Sequence, residues 1–286
     1  MSKIAICSDS SLDLSKELIE ENNIHIIPFG ITLGDNTFKD GIDVTIQDIF
    51  KYVEETKTLP KTNAINSAEY KDFYDSMLKE HDEVMLFCLS SEMSSSFNNA
   101  YIASQEYNGK VKVVDSRNLS TGVGMQVIYA CELRNQGLNS QEIFDAVHNR
   151  RGSVQASFVV EKLNYLHKGG RCNSVQLLGA NLLKIRPSII VNQGKMGMHK
   201  KYRGAMPEVV YKYCKDTLEE FNNPCSDFCF ITHSDAEPEM IEAAEKAVLE
   251  SGKFKKIYKT TAGATITSHC GKNTIGILYY NDGNNR

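Results

Sequence analysis

The sequence predicts an α/β protein in two parts: an N-terminal, largely parallel three-layer α/β domain over residues 1–152 and a C-terminal α+β domain over residues 153–286. Three observations carry this. Short apolar runs alternate with amphipathic stretches through the first half, as strands joined by crossover helices do. The polar run Asn149-Arg150-Arg151-Gly152 interrupts that rhythm where a boundary is expected. Beyond it, Asn192-Gln193-Gly194-Lys195 joins two apolar runs as an antiparallel hairpin. A length of 286 residues suits two domains.

Taken in order, Ile4-Ala5-Ile6-Cys7 reads as a buried strand that breaks at Ser8-Asp9-Ser10-Ser11. Apolar residues at 12, 14, 18 and 19 then give a rough helical spacing up to Glu21. Ile24 to Leu33 reads as one strand, and Gly34-Asp35-Asn36 as a hairpin turn that returns Thr37-Phe38-Lys39 as an edge strand. Thr45 opens a helix through Glu55, and a loop follows at Pro60. Ser67 is the expected N-cap of a helix to Lys79. Glu83 to Leu89 and Lys110 to Val114 are strands, separated by a helix over 94–105. Crossovers of this length require right-handed βαβ units and a parallel sheet. Helices near 120–136 and 140–149 close the first half. In the second half, strands are expected at 187–191, 196–202, 228–232, 255–260 and 274–280, with helices through Phe221 and over 238–251.

Composition narrows the class. With 41% hydrophobic and 24% charged residues, the chain is an ordinary globular protein rather than a disordered or fibrous one. Its N-terminus, MSKIAICSDSS, holds an apolar stretch too short for a signal sequence, and no run approaches a membrane span, so a cytoplasmic location is expected. The 8 cysteines are scattered, several within strand-like runs, as suits reduced thiols acting as small hydrophobes. The net charge of -4 hides a segregation. From Arg150 to Arg203 there are eleven Lys or Arg against the single acid Glu161, a formal +10 that leaves -14 for the remainder.

Several enzyme signatures are absent, among them G-x-x-x-x-G-K-[ST], H-E-x-x-H and G-x-S-x-G. Gly122-Val123-Gly124 lacks a third glycine because position 127 is Val, which argues against a dinucleotide loop. Cys225, Cys229 and His233 have the look of metal ligands but span a strand, where four residues cover roughly 13 Å. No metal site is expected there. What remains is a set of hydroxyl-rich loops at strand ends: Ser8-Asp9-Ser10-Ser11, Thr62-Asn63, and Ser90 to Ser96. In a parallel sheet, ligands bind beyond the carboxyl ends of the strands. The third loop puts hydroxyls and free N–H groups at a helix start, which suits a carboxylate or phosphate. Arg171, after two flexible glycines, and His269, between apolar segments, are candidates to complete such a site. Three classes stay open on these residues: a binder of a carboxylate or phosphate ligand, a hydrolase or transferase using Ser94 and His269, and a nucleic-acid binder using the +10 segment.

The order of the motifs adds a resemblance. Ser8-Asp9-Ser10-Ser11-Leu12-Asp13-Leu14, Pro60-Lys61-Thr62-Asn63, Leu89 to Phe97, Leu163 to Arg171, Lys184-Ile185-Arg186-Pro187 and His269-Cys270-Gly271 together resemble the DegV family over essentially the whole chain. The resemblance implies two α/β domains burying one fatty acid, palmitate for example, and no cofactor. It implies a bacterial carrier without turnover of its own, which offers the carboxylate to the catalytic subunit of a fatty acid kinase. ATP-dependent formation of acyl phosphate would then feed phospholipid synthesis. Transient membrane contact is compatible with this role, and nucleic acid is not an expected partner. By the same resemblance Thr62, Ser94 and His269 meet the carboxylate, with Ser95, Ser96, Arg171 and Arg203 in support and Arg203 turned to the kinase. The chain departs from the family pattern at Asn63-Ala64-Ile65, usually S-Q-P, at Ser95-Ser96, usually G-T or G-S, and at Lys272-Asn273, usually small residues. On this reading the basic segment surrounds the carboxylate mouth.

Overall fold

The computed structural model describes residues 2–176 and 185–283. Lys184 of the basic segment and of the Lys184-Ile185-Arg186-Pro187 motif lies outside the described residues. The first half contains β1 (Ile4–Asp9), α1 (Lys16–Glu21), β2 (Ile24–Ile27), β3 (Gly30–Leu33), β4 (Asn36–Lys39), α2 (Ile46–Thr56), β5 (Lys61–Asn63), α3 (Ser67–Met77), β6 (Glu83–Cys88), α4 (Ser96–Ser104), β7 (Val111–Asp115), α5 (Thr121–Asn135) and α6 (Ser140–Arg150). The second contains β8 (Val154–Val160), α7 (Asn164–Gly169), α8 (Asn173–Gln176), β9 (Arg186–Asn192), β10 (Lys195–Tyr202), α9 (Met206–Glu220), β11 (Phe228–Ser234), α10 (Pro238–Ser251), β12 (Lys256–Thr261), α11 (Ala264–Cys270) and β13 (Thr274–Tyr280).

Four strands in the order β2-β1-β6-β7 form the expected parallel sheet, and every pair in it is parallel. All six residues of β1 are buried, as a strand covered on both faces must be. The segment Ile24 to Leu33 is two strands rather than one. Pro28, which has no N–H to give a ladder, interrupts it. Phe29 then donates its N–H to the Ser10 hydroxyl at 3.1 Å, and the chain turns out of the parallel sheet. β3 instead centres an antiparallel sheet of order β4-β3-β5, where Thr62 pairs with Ile31. The loop expected after Pro60 therefore contains a strand, too short to show any period. Two helix starts also differ. Asn66, not Ser67, caps α3, in a capping box with Glu69, and α1 begins only at Lys16, capped by Ser15.

The second half is built on a six-stranded sheet of order β10-β9-β8-β13-β11-β12, antiparallel except between β11 and β12. β8 alternates apolar and polar residues from Val154 to Phe158, yet both of its faces are buried. One face of this sheet, through Val159, Ile231, Ile275 and Ile277, packs with residues of α9 and α10. The other, through Ala156, Phe158, Phe230 and Leu278, joins the core that contains the parallel sheet. Gly122-Val123-Gly124 serves packing: a Cβ on Gly124 would stand 2.8 Å from the Leu12 carbonyl oxygen, so α5 lies directly on the chain leaving β1. Among the described residues no helix is long and apolar enough to cross a membrane.

Candidate functional site

Between the carboxyl end of the parallel sheet and the inner face of the second sheet lies a cavity. Its walls are largely apolar, with Phe29, Leu89, Leu119, Phe158, Leu166 and Leu278 among them. Thr62, Ser94, Ser95, Arg171 and His269 also line it.

Thr62 and His269, 207 positions apart in sequence, meet through Thr62 Oγ1 and His269 Nε2 at 2.9 Å. β5 supplies the first through its pairing with β3, and the last turn of α11 supplies the second. Burial, and then the charge of Arg171, lower the His269 pKa to about 4, so the imidazole is neutral near pH 7. Its Nδ1 is buried and has no hydrogen-bond partner among the described residues. A buried N–H with no acceptor is costly, so the single ring proton belongs on Nε2, donated to Thr62. The Thr62 hydroxyl hydrogen is then free to point into the cavity.

Ser94 is held by its neighbour: the Ser96 N–H donates to Ser94 Oγ at 3.2 Å, and the Ser94 hydroxyl lies 3.1 Å from Ser96 Oγ. Ser96 is fully buried and does not line the cavity. Its hydroxyl accepts the Ile65 N–H at 3.2 Å, and Asn99 donates to the Ile65 carbonyl at 2.8 Å. The Ser94 loop and the Thr62 strand are thus zipped together. Ser95 stands where the family carries glycine, and its φ of -75° is open to any residue.

Both glycines before Arg171 have a reason. A Cβ on Gly169 would stand 2.8 Å from His269 Nδ1, and Gly170 takes a φ of 72° to end α7. The Arg171 guanidinium donates to the Gly169 carbonyl at 2.7 Å and remains exposed at the cavity edge.

Two expectations are corrected. The Ser8-Asp9-Ser10-Ser11 loop does not line the cavity, because its polar groups are used within the protein. Asp9 accepts from Ser11 and from the Leu89 N–H at 2.7 Å, while Ser8 donates to the Phe87 carbonyl. The basic side chains do not surround the cavity either: of the Lys and Arg in the segment from Arg150 to Arg203, Arg171 alone among the described residues contributes to the lining. Lys200 and His199 pair with Glu220 on α9, Arg150 pairs with Asp282, and Lys195 pairs with Glu92. Arg203 is exposed in the turn after β10, away from the lining. Lys272 pairs with Asp235, and Asn273 donates to Glu161, so these departures from the family pattern also lie off the lining.

Buried acids lie beside the site. Burial raises the Asp13 pKa to about 8, against the Ser120 and Gly263 donors that lower it and with the Asp40 and Asp9 charges adding to the rise. Burial likewise raises Asp9 to about 6. A carboxyl with a raised folded-state pKa keeps its proton after the unfolded chain has lost it, so folding stability falls as pH rises to that value. For His269 the sign is opposite, with stability lost as pH falls from 6.5 towards about 4. Between pH 6.5 and 8 only Asp13 of these three still titrates. Stability measured by urea denaturation is expected to decline across that interval, and Asp13→Asn is expected to flatten the decline. An unchanged slope in the variant removes Asp13 as its source.

A family model described as "Uncharacterised protein, DegV family" matches residues 3–282. A DegV domain-containing protein of Staphylococcus aureus is 30% identical over 97% of this chain and 99% of its own length. Among solved structures, one described as fatty acid binding of a DegV family protein from Thermus thermophilus is 26% identical, with a TM-score of 0.90 over 97% of this chain and 99% of that one. A hypothetical protein from Thermotoga maritima, whose structure is described as revealing fatty acid binding function, is 25% identical with a TM-score of 0.83 over 98% and 99%.

Proposed function

Since the chain belongs to the DegV family, we propose that it binds one long-chain fatty acid and presents the carboxylate to a separate kinase subunit. The observation that carries this is one cavity with two chemistries: an apolar interior and, in the same lining, the Thr62–His269 pair with Ser94 and Arg171. The binding named for the Thermus and Thermotoga relatives supports it. Burying about fourteen methylenes at ~0.8 kcal/mol each offers on the order of 11 kcal/mol before association costs, so the tail supplies affinity. The head supplies orientation. The Thr62 hydroxyl donates to the carboxylate, the Ser94 hydroxyl joins it by turning from Ser96, and the exposed Arg171 guanidinium offers a cation at the cavity edge. In the kinase step a carboxylate oxygen attacks the γ-phosphorus of ATP on the partner, the bond to the β-phosphate oxygen breaks, and ADP leaves. The acyl phosphate is then released towards phospholipid synthesis.

A Ser94–His269 hydrolase is the weaker reading. Such a pair needs a direct hydrogen bond, whereas Ser94 bonds Ser96 and His269 bonds Thr62. Native mass spectrometry of the purified protein is expected to show one added mass matching a fatty acid. A protein without such an adduct, and unable to acquire one from palmitate, refutes the binding. Arg203→Glu is expected to leave that adduct in place while abolishing acyl phosphate formation in the presence of the kinase subunit and ATP. Full turnover in this variant removes Arg203 from the docking surface.

A further inference from the structure

Two buried aspartate carboxyl groups outside the cavity converge on the start of α11. Asp40, 4% exposed, accepts the Ala264 N–H through Oδ1 at 2.9 Å. Its Oδ2 accepts the Thr265 N–H at 3.2 Å, the Thr265 hydroxyl at 2.5 Å and the Ser10 hydroxyl at 2.9 Å. Asp13, 5% exposed, accepts the Gly263 N–H through Oδ1 at 2.8 Å and the Ser120 hydroxyl through Oδ2 at 2.5 Å. A Cβ on Gly263 would stand 3.4 Å from an oxygen of each carboxyl group. Together they take three consecutive N–H groups at the helix start, donors that no helix satisfies internally.

The segments joined in this way are distant in the chain: Ser10 and Asp13 follow β1, Asp40 follows β4, and Ser120 precedes α5. Ser120 sits at φ 54°, ψ -143°, a conformation costly for a residue with a Cβ, and its hydroxyl bond to Asp13 helps to hold it there. α11 itself has only seven residues, too few to be helical without external support. Thr265 and His269 lie four apart on one face of it, and both line the cavity. Moving the first turn of this helix therefore moves the imidazole.

We propose that Asp40 and Asp13 are positioning residues for the head site: by seating the first turn of α11 they set His269 Nε2 against Thr62 Oγ1, and so set the hydrogen bonding of a bound carboxylate. This rests on the fatty-acid reading above. It also gives a use to the Ser10 and Asp13 motif that the cavity itself does not employ.

The test loads the full-length protein with palmitate labelled with ¹³C at the carboxyl carbon and compares wild type, Asp40→Ala and Asp40→Asn at pH 7 by NMR and native mass spectrometry. Wild type is expected to give one bound carboxyl resonance displaced from that of free palmitate. Asp40→Ala should shift that resonance and speed palmitate release at least tenfold. Asp40→Asn keeps the volume and one acceptor oxygen, so it should fold and shift the resonance the same way by less. A purely structural role would change stability and leave the carboxyl resonance in place. Wild-type resonance and release rate in Asp40→Asn, and in Asp40→Ala if it folds, overturn the inference while the binding stands. A wild-type protein that takes up no palmitate overturns the fatty-acid reading and this inference with it.

Discussion

Thr62→Ala is expected to weaken fatty-acid retention by roughly tenfold to a hundredfold while the protein stays folded. A hydrogen bond to a charged group contributes about 1.5–3 kcal/mol, and every ~1.4 kcal/mol is a factor of ten. The variant loses more than one bond to the ligand. Its neighbour His269 keeps a neutral ring whose Nε2 hydrogen has lost its acceptor at 2.9 Å, and Nδ1 already has no donor among the described residues. Ser94→Ala removes a donor from the same lining but leaves the imidazole satisfied, so its effect should be at the lower end. Thr62→Ser restores a hydroxyl and should recover most of the loss. Displacement of a fluorescent fatty acid measures all three. Equal affinities for wild type, Thr62→Ala and Ser94→Ala sink the head-group assignment.

The second large effect concerns stability. Gly276 sits in β13, a strand inside the six-stranded sheet, opposite Phe158 of β8 and Thr232 of β11. A Cβ there would stand 2.4 Å from the Ser157 carbonyl oxygen and 2.9 Å from Phe158 Cβ. The first contact is with backbone, which cannot swing aside as a side-chain end does. Overpacking in a core typically costs 1–3 kcal/mol, and a backbone clash belongs at the top of that range. Gly276→Ala should therefore lower unfolding free energy by about 3 kcal/mol in urea denaturation. Because Gly276 and Phe158 both line the cavity, palmitate capacity should fall as well. A variant as stable as wild type contradicts this pairing of β13 with β8.

How much of the fold could be read locally differs from element to element. The strands β1, β6 and β7 announce themselves as apolar runs between helices, and their parallel pairing follows from crossover length. β8 shows period two from Val154 to Phe158, the pattern of a half-buried strand, but the packing of both sheet faces buries Gln155 and Ser157 as well. β5 is three residues long and exists because β3 offers it an edge. Within the site, Thr62, Ser94, Arg171 and His269 stood out as motif residues, and the structure brings them around one cavity. Asp40 gave no signal: a single acid in a turn reads as a solvated charge until its partners, more than 220 positions away, are known. The basic segment misled in the opposite direction. Charge counted along a chain does not include the acids that folding brings to it, here Glu220, Asp282 and Glu92.

By itself, the sequence determined the alternation of strands and helices, the change of rhythm after Gly152, and the ordered motifs that mark the family. These depend on residues close together, whose periodicity and turn chemistry act within a few positions. Only the tertiary structure decided that Thr62 meets His269, that Asp13 and Asp40 close on the start of α11, and that Arg171 alone of the described Lys and Arg in the basic segment reaches the cavity. Those facts depend on strand order and on burial. A hydrogen bond across 207 positions is set by which edges pair and which faces pack, and local propensity carries no information about either.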